Sequence, residues 1–168
     1  MKHVALSILD QHRIMALATL RPDGWPQTTM VSYVHDSFSL YFLISRTSQK
    51  FANLDADTRV SIAIGSDSTD PKAIRGLSLA AHAEEVRDEP YRSQFCERLA
   101  ARHPGYFDPA QLVFTRSALM RARPQVITIS DFSKGLGHAD RISLGPDELM
   151  EMGAARADDW GPNPEAAP

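Results

Sequence analysis

The sequence predicts a small, mainly-β domain in which six or seven antiparallel strands close into a barrel with short flanking helices. Three observations carry this. Apolar runs of strand length recur, separated by tight-turn signals. Helical periodicity is confined to short stretches at 2–12, 48–55 and 90–102. A chain of 168 residues, 43% apolar and 23% charged, fits one ordinary globular domain.

Residues 2–12 place Val4, Ala5, Ile8 and Leu9 at helical spacing. Residues 13–20 form an apolar run of strand length. Pro22 and Asp23-Gly24 then supply a reversal, because Pro presets φ and Gly accepts a positive one. Residues 27–34, rich in Thr, Val and Tyr, suit a pleated strand. Asp36-Ser37 turns the chain into the apolar run 38–44. Residues 13–44 therefore read as a three-strand antiparallel meander. A helix over 48–55 and a fourth strand at 59–64 follow. A polar loop leads to a fifth strand over 76–87, in which Glu84 and Glu85 fall on opposite faces. After Pro90, residues 90–102 form an amphipathic helix that buries Phe95 and Leu99 and turns Arg92, Glu97, Arg98 and Arg102 to water. Residues 112–122 and 125–129 read as a last strand pair broken near Pro124.

The expected strands and the three helices at 2–12, 48–55 and 90–102 fall within 1–144, the barrel domain. From Gly145 the composition shifts to six acids against one Arg. Residues 145–168 read as an acidic tail with a short helix at 146–152, either solvated or packed on a partner subunit.

A net charge of −3 gives no basis for a nucleic-acid or anionic-membrane partner. No apolar run approaches the roughly 18 residues of a membrane span. The N-terminal segment reads as a helix rather than a leader, so the expected location is cytoplasmic. The single Cys96 excludes an internal disulfide and is expected to be inert. No two of the six histidines lie three or four residues apart, so no metal site is predicted. Glycine-rich nucleotide loops, the nucleophile elbow and the His-Glu-x-x-His helix are all absent.

The segment that carries chemistry is 43–54. An apolar strand runs into Ser45, Arg46, Thr47, Ser48, Gln49 and Lys50, then into a helix. Free N–H groups of a first helical turn, three hydroxyls, a guanidinium fork and an ammonium can together hold a phosphate. Helix capping by Ser and surface placement of the cations explain the same residues without a ligand. In a meander Thr28, Thr29, Met30 and Val31 lie beside this cluster, where their backbone could border a flat heterocycle. An ordinary strand with a wet threonine face is the alternative. Phe132, Trp25 and Trp160 are candidates to stack on such a ring. His138, in a glycine-flanked loop, is a candidate cofactor contact.

These residues resemble the pyridoxamine 5′-phosphate oxidase-like group of FMN-binding split β-barrels. The resemblance covers residues 8–64. It runs through Ile14 to Leu20, Pro22-Asp23-Gly24 and Pro26, Thr29-Met30-Val31, Leu40-Tyr41-Phe42, Ser45-Arg46-x-Ser48-x-Lys50-x-x-Asn53-Leu54 and Asp57-x-Arg59-Val60-Ser61. The closing run from Ile129 to Asp140 is similar to the ending of one branch of the group. The resemblance implies a homodimer with two FMN sites at the subunit interface. It places Ser48 and Lys50 at the phosphate, with Arg46 and Gln49 beside them and Thr28 to Val31 along the isoalloxazine. The Arg-Lys pair usual at the flavin phosphate is Gln49-Lys50 here, and no clamp for a substrate phosphate is found.

The expected function is an FMN-dependent oxidoreductase on an unidentified small molecule. A flavin carries its own redox chemistry, so few acid–base side chains are needed, and no catalytic residue is assigned. The alternatives are a deazaflavin (F420) reductase and a non-catalytic FMN- or haem-binding protein.

Overall fold

The computed structural model describes residues 1–105, 108, 110 and 114–144, and the backbone of 149–154. Its elements are α1 (Lys2–Gln11), β1 (Ile14–Leu20), β2 (Pro26–Ser32), β3 (Val34–Asp36), β4 (Ser39–Ser45), α2 (Gln49–Ala56), β5 (Arg59–Gly65), β6 (Arg75–Glu85), α3 (Tyr91–Arg102), β7 (Ser117–Asp131), β8 (Ala139–Leu144) and β9 (Leu149–Ala154). All the strand pairs are antiparallel, in the order β2-β1-β5-β6-β7-β4-β3, with β8 added to β7 and β9 to β8. This is the mainly-β split barrel that the sequence predicts.

The barrel follows from alternation. β5 reads exposed-buried throughout, with Val60, Ile62 and Ile64 turned inward. Met15 and Leu17 of β1, Leu77 and Leu79 of β6, and Ile127 and Ile129 of β7 join them in one core. Ala5, Ile8 and Leu9 of α1 close it. Burying each larger side chain stabilises the fold by roughly 1.5–3 kcal/mol. Tyr33 lies fully inside, and its hydroxyl donates to the Leu9 carbonyl at 2.9 Å, which fixes the end of α1 to the barrel. Burial pushes that phenol's pKa well up.

A second apolar cluster lies on the outside. Phe95, Cys96 and Leu99 of α3 pack on Val34, Tyr41 and Leu119, with the Tyr41 and Phe95 rings stacked 3.6 Å apart. Arg102 does not face water. It donates to the carbonyls of Leu9, Asp10 and His12 at 3.0, 2.8 and 2.6 Å, capping the end of α1 with a positive charge. Cys96 is buried, and desolvation raises its thiol pKa to about 11, which suits an inert packing residue.

Four further expectations change. The 13–44 meander does not form. β1 and β2 make a hairpin in which Gly24, at φ +85°, donates to the Arg21 carbonyl. β4 pairs with β3 and β7 instead of β2. Short-range turn signals fix reversals but not which edge a returning strand finds. The strand pair at 112–122 and 125–129 is one strand, β7. Its register slips at Ala81↔Pro124, so the proline occupies a bulge where a missing N–H is tolerated. Residues 111–113 lie outside the described ones. A further strand, β8, follows in a stretch to which the sequence pattern assigns no element. The backbone at 149–154 forms β9, not a helix; 145–148 and 155–168, with Trp160, lie outside the described residues.

Candidate functional site

Among the described residues β2 is an edge strand, paired on one side only. β2 and β4, far apart in strand order, approach each other where the sheet curls round, and α2 packs on both β1 and β4 across this opening. The candidate site lies at that seam.

The strand-to-helix junction is locally determined. Ser48 caps α2, accepting from the Phe51 N–H at 3.3 Å and donating to the Ser45 carbonyl at 2.7 Å. Ser45 Oγ accepts from the Thr47 N–H at 3.2 Å and lies 2.9 Å from Thr47 Oγ1. Ser45, Thr47 and Gln49 are exposed, while Ser48 and Lys50 are half-buried. Among the described residues Lys50 has no hydrogen-bond or ion-pair partner.

A buried polar chain docks this helix to the barrel. Gln49 Nε2 donates to Asn53 Oδ1 at 2.9 Å, and Asn53 Nδ2 donates to Thr19 Oγ1 at 2.9 Å and Gln27 Oε1 at 3.1 Å. Asn53 is fully buried, so these bonds offset a desolvation cost of roughly 1–3 kcal/mol. Gln27 opens the Thr28–Val31 run, so the chain brings that run and the Ser48–Lys50 turn to one corner. Along β2, Thr28 and Met30 point outward and Thr29 and Val31 inward. Met30 is 69% exposed. Asn53 and Gln27 had no assigned role in the sequence. The only trace of Asn53 was its place in the Asn53-Leu54 pair of the family pattern.

Arg46 turns away. Its Nε donates to the Phe114 carbonyl at 2.8 Å, its guanidinium pairs with Glu85, and its Cζ lies 5.3 Å from the Phe51 ring. The fork expected to grip phosphate is thus engaged by the protein. Burial pushes the Glu85 pKa up, but the Arg46 and Arg87 guanidiniums outweigh it and leave the carboxyl below its ordinary value. Glu84 points to the other face and pairs with Arg121 and Arg123, so the two glutamates form no shared site.

Phe132 and His138 lie elsewhere. Ser45 pairs with Ser117 at the start of β7, whereas Phe132 follows the strand's last residue, Asp131. The intervening strand spans on the order of 40 Å. One chain therefore does not join these residues to the Lys50 corner. Phe132 and His138 are both half-buried, and His138 Nε2 lies 3.1 Å from Asp140 Oδ1. Lys134 holds the Asp140 carboxyl below its ordinary pKa, with His138 adding to the effect. Trp25 is 72% exposed at the β1–β2 turn. His82 is exposed in the single chain and its Nδ1 lies 2.8 Å from Thr58 Oγ1.

No group of three metal-ligating side chains occurs among the described residues, and no described helix is long and apolar enough to cross a membrane. The geometry fits a phosphate-bearing ring compound. Lys50 and the capped turn suit the phosphate, and the open β2 edge offers backbone donors and acceptors to a flat ring.

No curated protein matches the chain in sequence. Similar solved structures include the conserved hypothetical protein Rv2991 of Mycobacterium tuberculosis, 23% identical, with a TM-score of 0.72 over 88% of this chain and 93% of that one. The haem storage protein HutZ of Vibrio cholerae is 25% identical, with a TM-score of 0.62 over 73% of this chain and 89% of that one. An F420 reductase is 24% identical, with a TM-score of 0.60 over 72% of this chain and 93% of that one. A family profile described as pyridoxamine 5′-phosphate oxidase matches residues 1–130, and the chain belongs to that family.

Proposed function

We propose that the protein is a homodimeric FMN-binding oxidoreductase acting on a small molecule. The observation that carries this reading is Lys50: a half-buried cation with no counter-charge among the described residues, beside the capped first turn of α2. A phosphate there would restore the balance and receive free helical N–H groups. The ring would lie along the β2 edge. A flavin supplies hydride transfer when bound; the chain's part is to bind, orient and shield it.

The dimer is proposed on two grounds. Phe132 and His138 stand a full strand length from Lys50, so a second copy is the way for both groups to meet one ligand. The outer faces of β1 and β2 also present Ile14, Leu20 and Met30, exposed by 48%, 36% and 69%. Equilibrium titration tests the cofactor. FMN is expected to bind with flavin absorbance and quenched fluorescence, and Lys50→Ala to weaken it by roughly 1.5–3 kcal/mol, the range for a charge-assisted contact. An unchanged affinity in Lys50→Ala sinks the assignment. F420 would use the same phosphate corner, and parallel titrations rank the two.

A second reading, haem binding, is favoured by one observation: the half-buried His138 ring is held through Nε2 by the Asp140 carboxylate, which would fix the ring's orientation toward an iron. A Soret band on haem addition that vanishes in His138→Ala supports it. No band in the wild type excludes it.

A further inference from the structure

We propose that Glu85 and Arg46 are positioning residues for the cofactor phosphate: Glu85, at the end of β6, holds Arg46 against α2 and so fixes the turn bearing Ser48 and Lys50. The inference rests on the phosphate reading above.

Arg46 is clamped from several directions. Its backbone N–H donates to the Arg116 carbonyl at 3.0 Å and its Nε to the Phe114 carbonyl at 2.8 Å. Its two terminal nitrogens face the two Glu85 oxygens. The Glu85 side chain is only 12% exposed, and Arg87 also donates to it at 3.1 Å. The Arg46 guanidinium lies by the ring of Phe51, which sits in the first turn of α2.

Helix geometry sets the side. Gln49 and Phe51 are about 200° apart around α2. Gln49 faces Asn53, and through it Thr19 and Gln27. Phe51, and Arg46 with it, lies on the opposite side. The first turn is therefore gripped on both flanks: by the Asn53 chain toward β1 and β2, and by the Arg46–Glu85 pair toward β6 and β7. Lys50 lies between them in sequence and angle. Loss of the Glu85 charge leaves a half-buried guanidinium without its counter-ion and frees one flank. A supporting pair of this kind sets how well a ligand contact is aimed without touching the ligand.

The test separates aim from stability by comparing FMN with riboflavin, which lacks the phosphate. Dissociation constants for both are measured for the wild type, Glu85→Gln, Arg46→Lys and Lys50→Ala, with thermal melts alongside. Glu85→Gln is expected to weaken FMN about tenfold and riboflavin by less than about twofold. Arg46→Lys keeps a cation for Glu85 but loses the fork and the Phe114 bond. It is expected to weaken FMN by an intermediate factor and spare riboflavin, and it carries the test if Glu85→Gln fails to fold. Wild-type FMN affinity in Glu85→Gln, or equal losses for FMN and riboflavin, overturns the proposal while leaving the Lys50 assignment intact. Wild-type FMN affinity in Lys50→Ala overturns the phosphate reading and this inference together.

Discussion

Single residues at the corner divide by whether the protein already satisfies them. Among the described residues Arg46 and Gln49 are spoken for and Lys50 is not, and this contrast separates a ligand-facing cation from a structural one. Sequence could place Ser45 to Lys50 on a strand–helix junction, because hydroxyls and a capping serine before a helical run are local signals. It could not tell Arg46 from Lys50, since Arg46 finds its acceptors on Phe114 and Glu85, 68 and 39 residues away. Asn53 shows the same limit. Asn53→Leu would leave Thr19, Gln27 and Gln49 without their shared partner, and is expected to destabilise the fold by roughly 2–3 kcal/mol in urea unfolding. A loss under about 0.5 kcal/mol would show that water replaces the network without cost.

At the level of elements, α2 is a short helix of eight residues, Gln49–Ala56, too short to persist unsupported. Its stability comes from the Ser48 cap, from Leu54 in the core and from the buried Asn53 chain. Ser48→Ala is expected to cost about 1 kcal/mol of stability through the cap, visible in chemical denaturation. It should also weaken FMN, because the turn that would receive the phosphate frays. Three helices were legible, and α1, α2 and α3 lie within a residue of their expected bounds, whereas the helix expected at 146–152 gives way to strand β9 over 149–154. Strand continuity was less so. Pro124 reads as a break in sequence, yet the bulge against Ala80–Ala81 carries β7 through it. Likewise β8 lacks an alternating pattern, because Ala139 to Arg141 and Ile142 are all buried.

Across the whole molecule, charge pairing sets the acid limit. The Glu84, Glu85, Asp131 and Asp140 carboxyls all lie below their ordinary values. A carboxyl depressed in the folded state contributes stability above its unfolded value and loses it as pH falls through the folded one. Melting temperature is therefore expected to fall as pH drops below the ordinary glutamate value of 4.5, with Glu85→Gln flattening that limb. A profile unchanged by the substitution would remove Glu85 as a contributor. Solvent screening keeps the Glu84 share small, since that side chain is 43% exposed. The proposed subunit contact has its own test. Ala16 faces outward on β1, between Met30 of β2 and Ala63 of β5. Ala16→Glu is expected to give a folded monomer by sedimentation with weakened FMN binding; a dimer of unchanged stability would place the interface elsewhere.

The amino-acid sequence by itself determined the class of the fold, the three helices, the first hairpin and the junction that carries Ser48 and Lys50. Each of these depends on neighbours a few residues apart, through periodicity, capping and turn geometry. The tertiary structure alone decided which edge β4 joins, where Arg46 and Asn53 spend their hydrogen bonds, and how far Phe132 and His138 stand from Lys50. Those outcomes come from contacts between segments distant along the chain, settled when the sheet curls and buried polar groups must find partners.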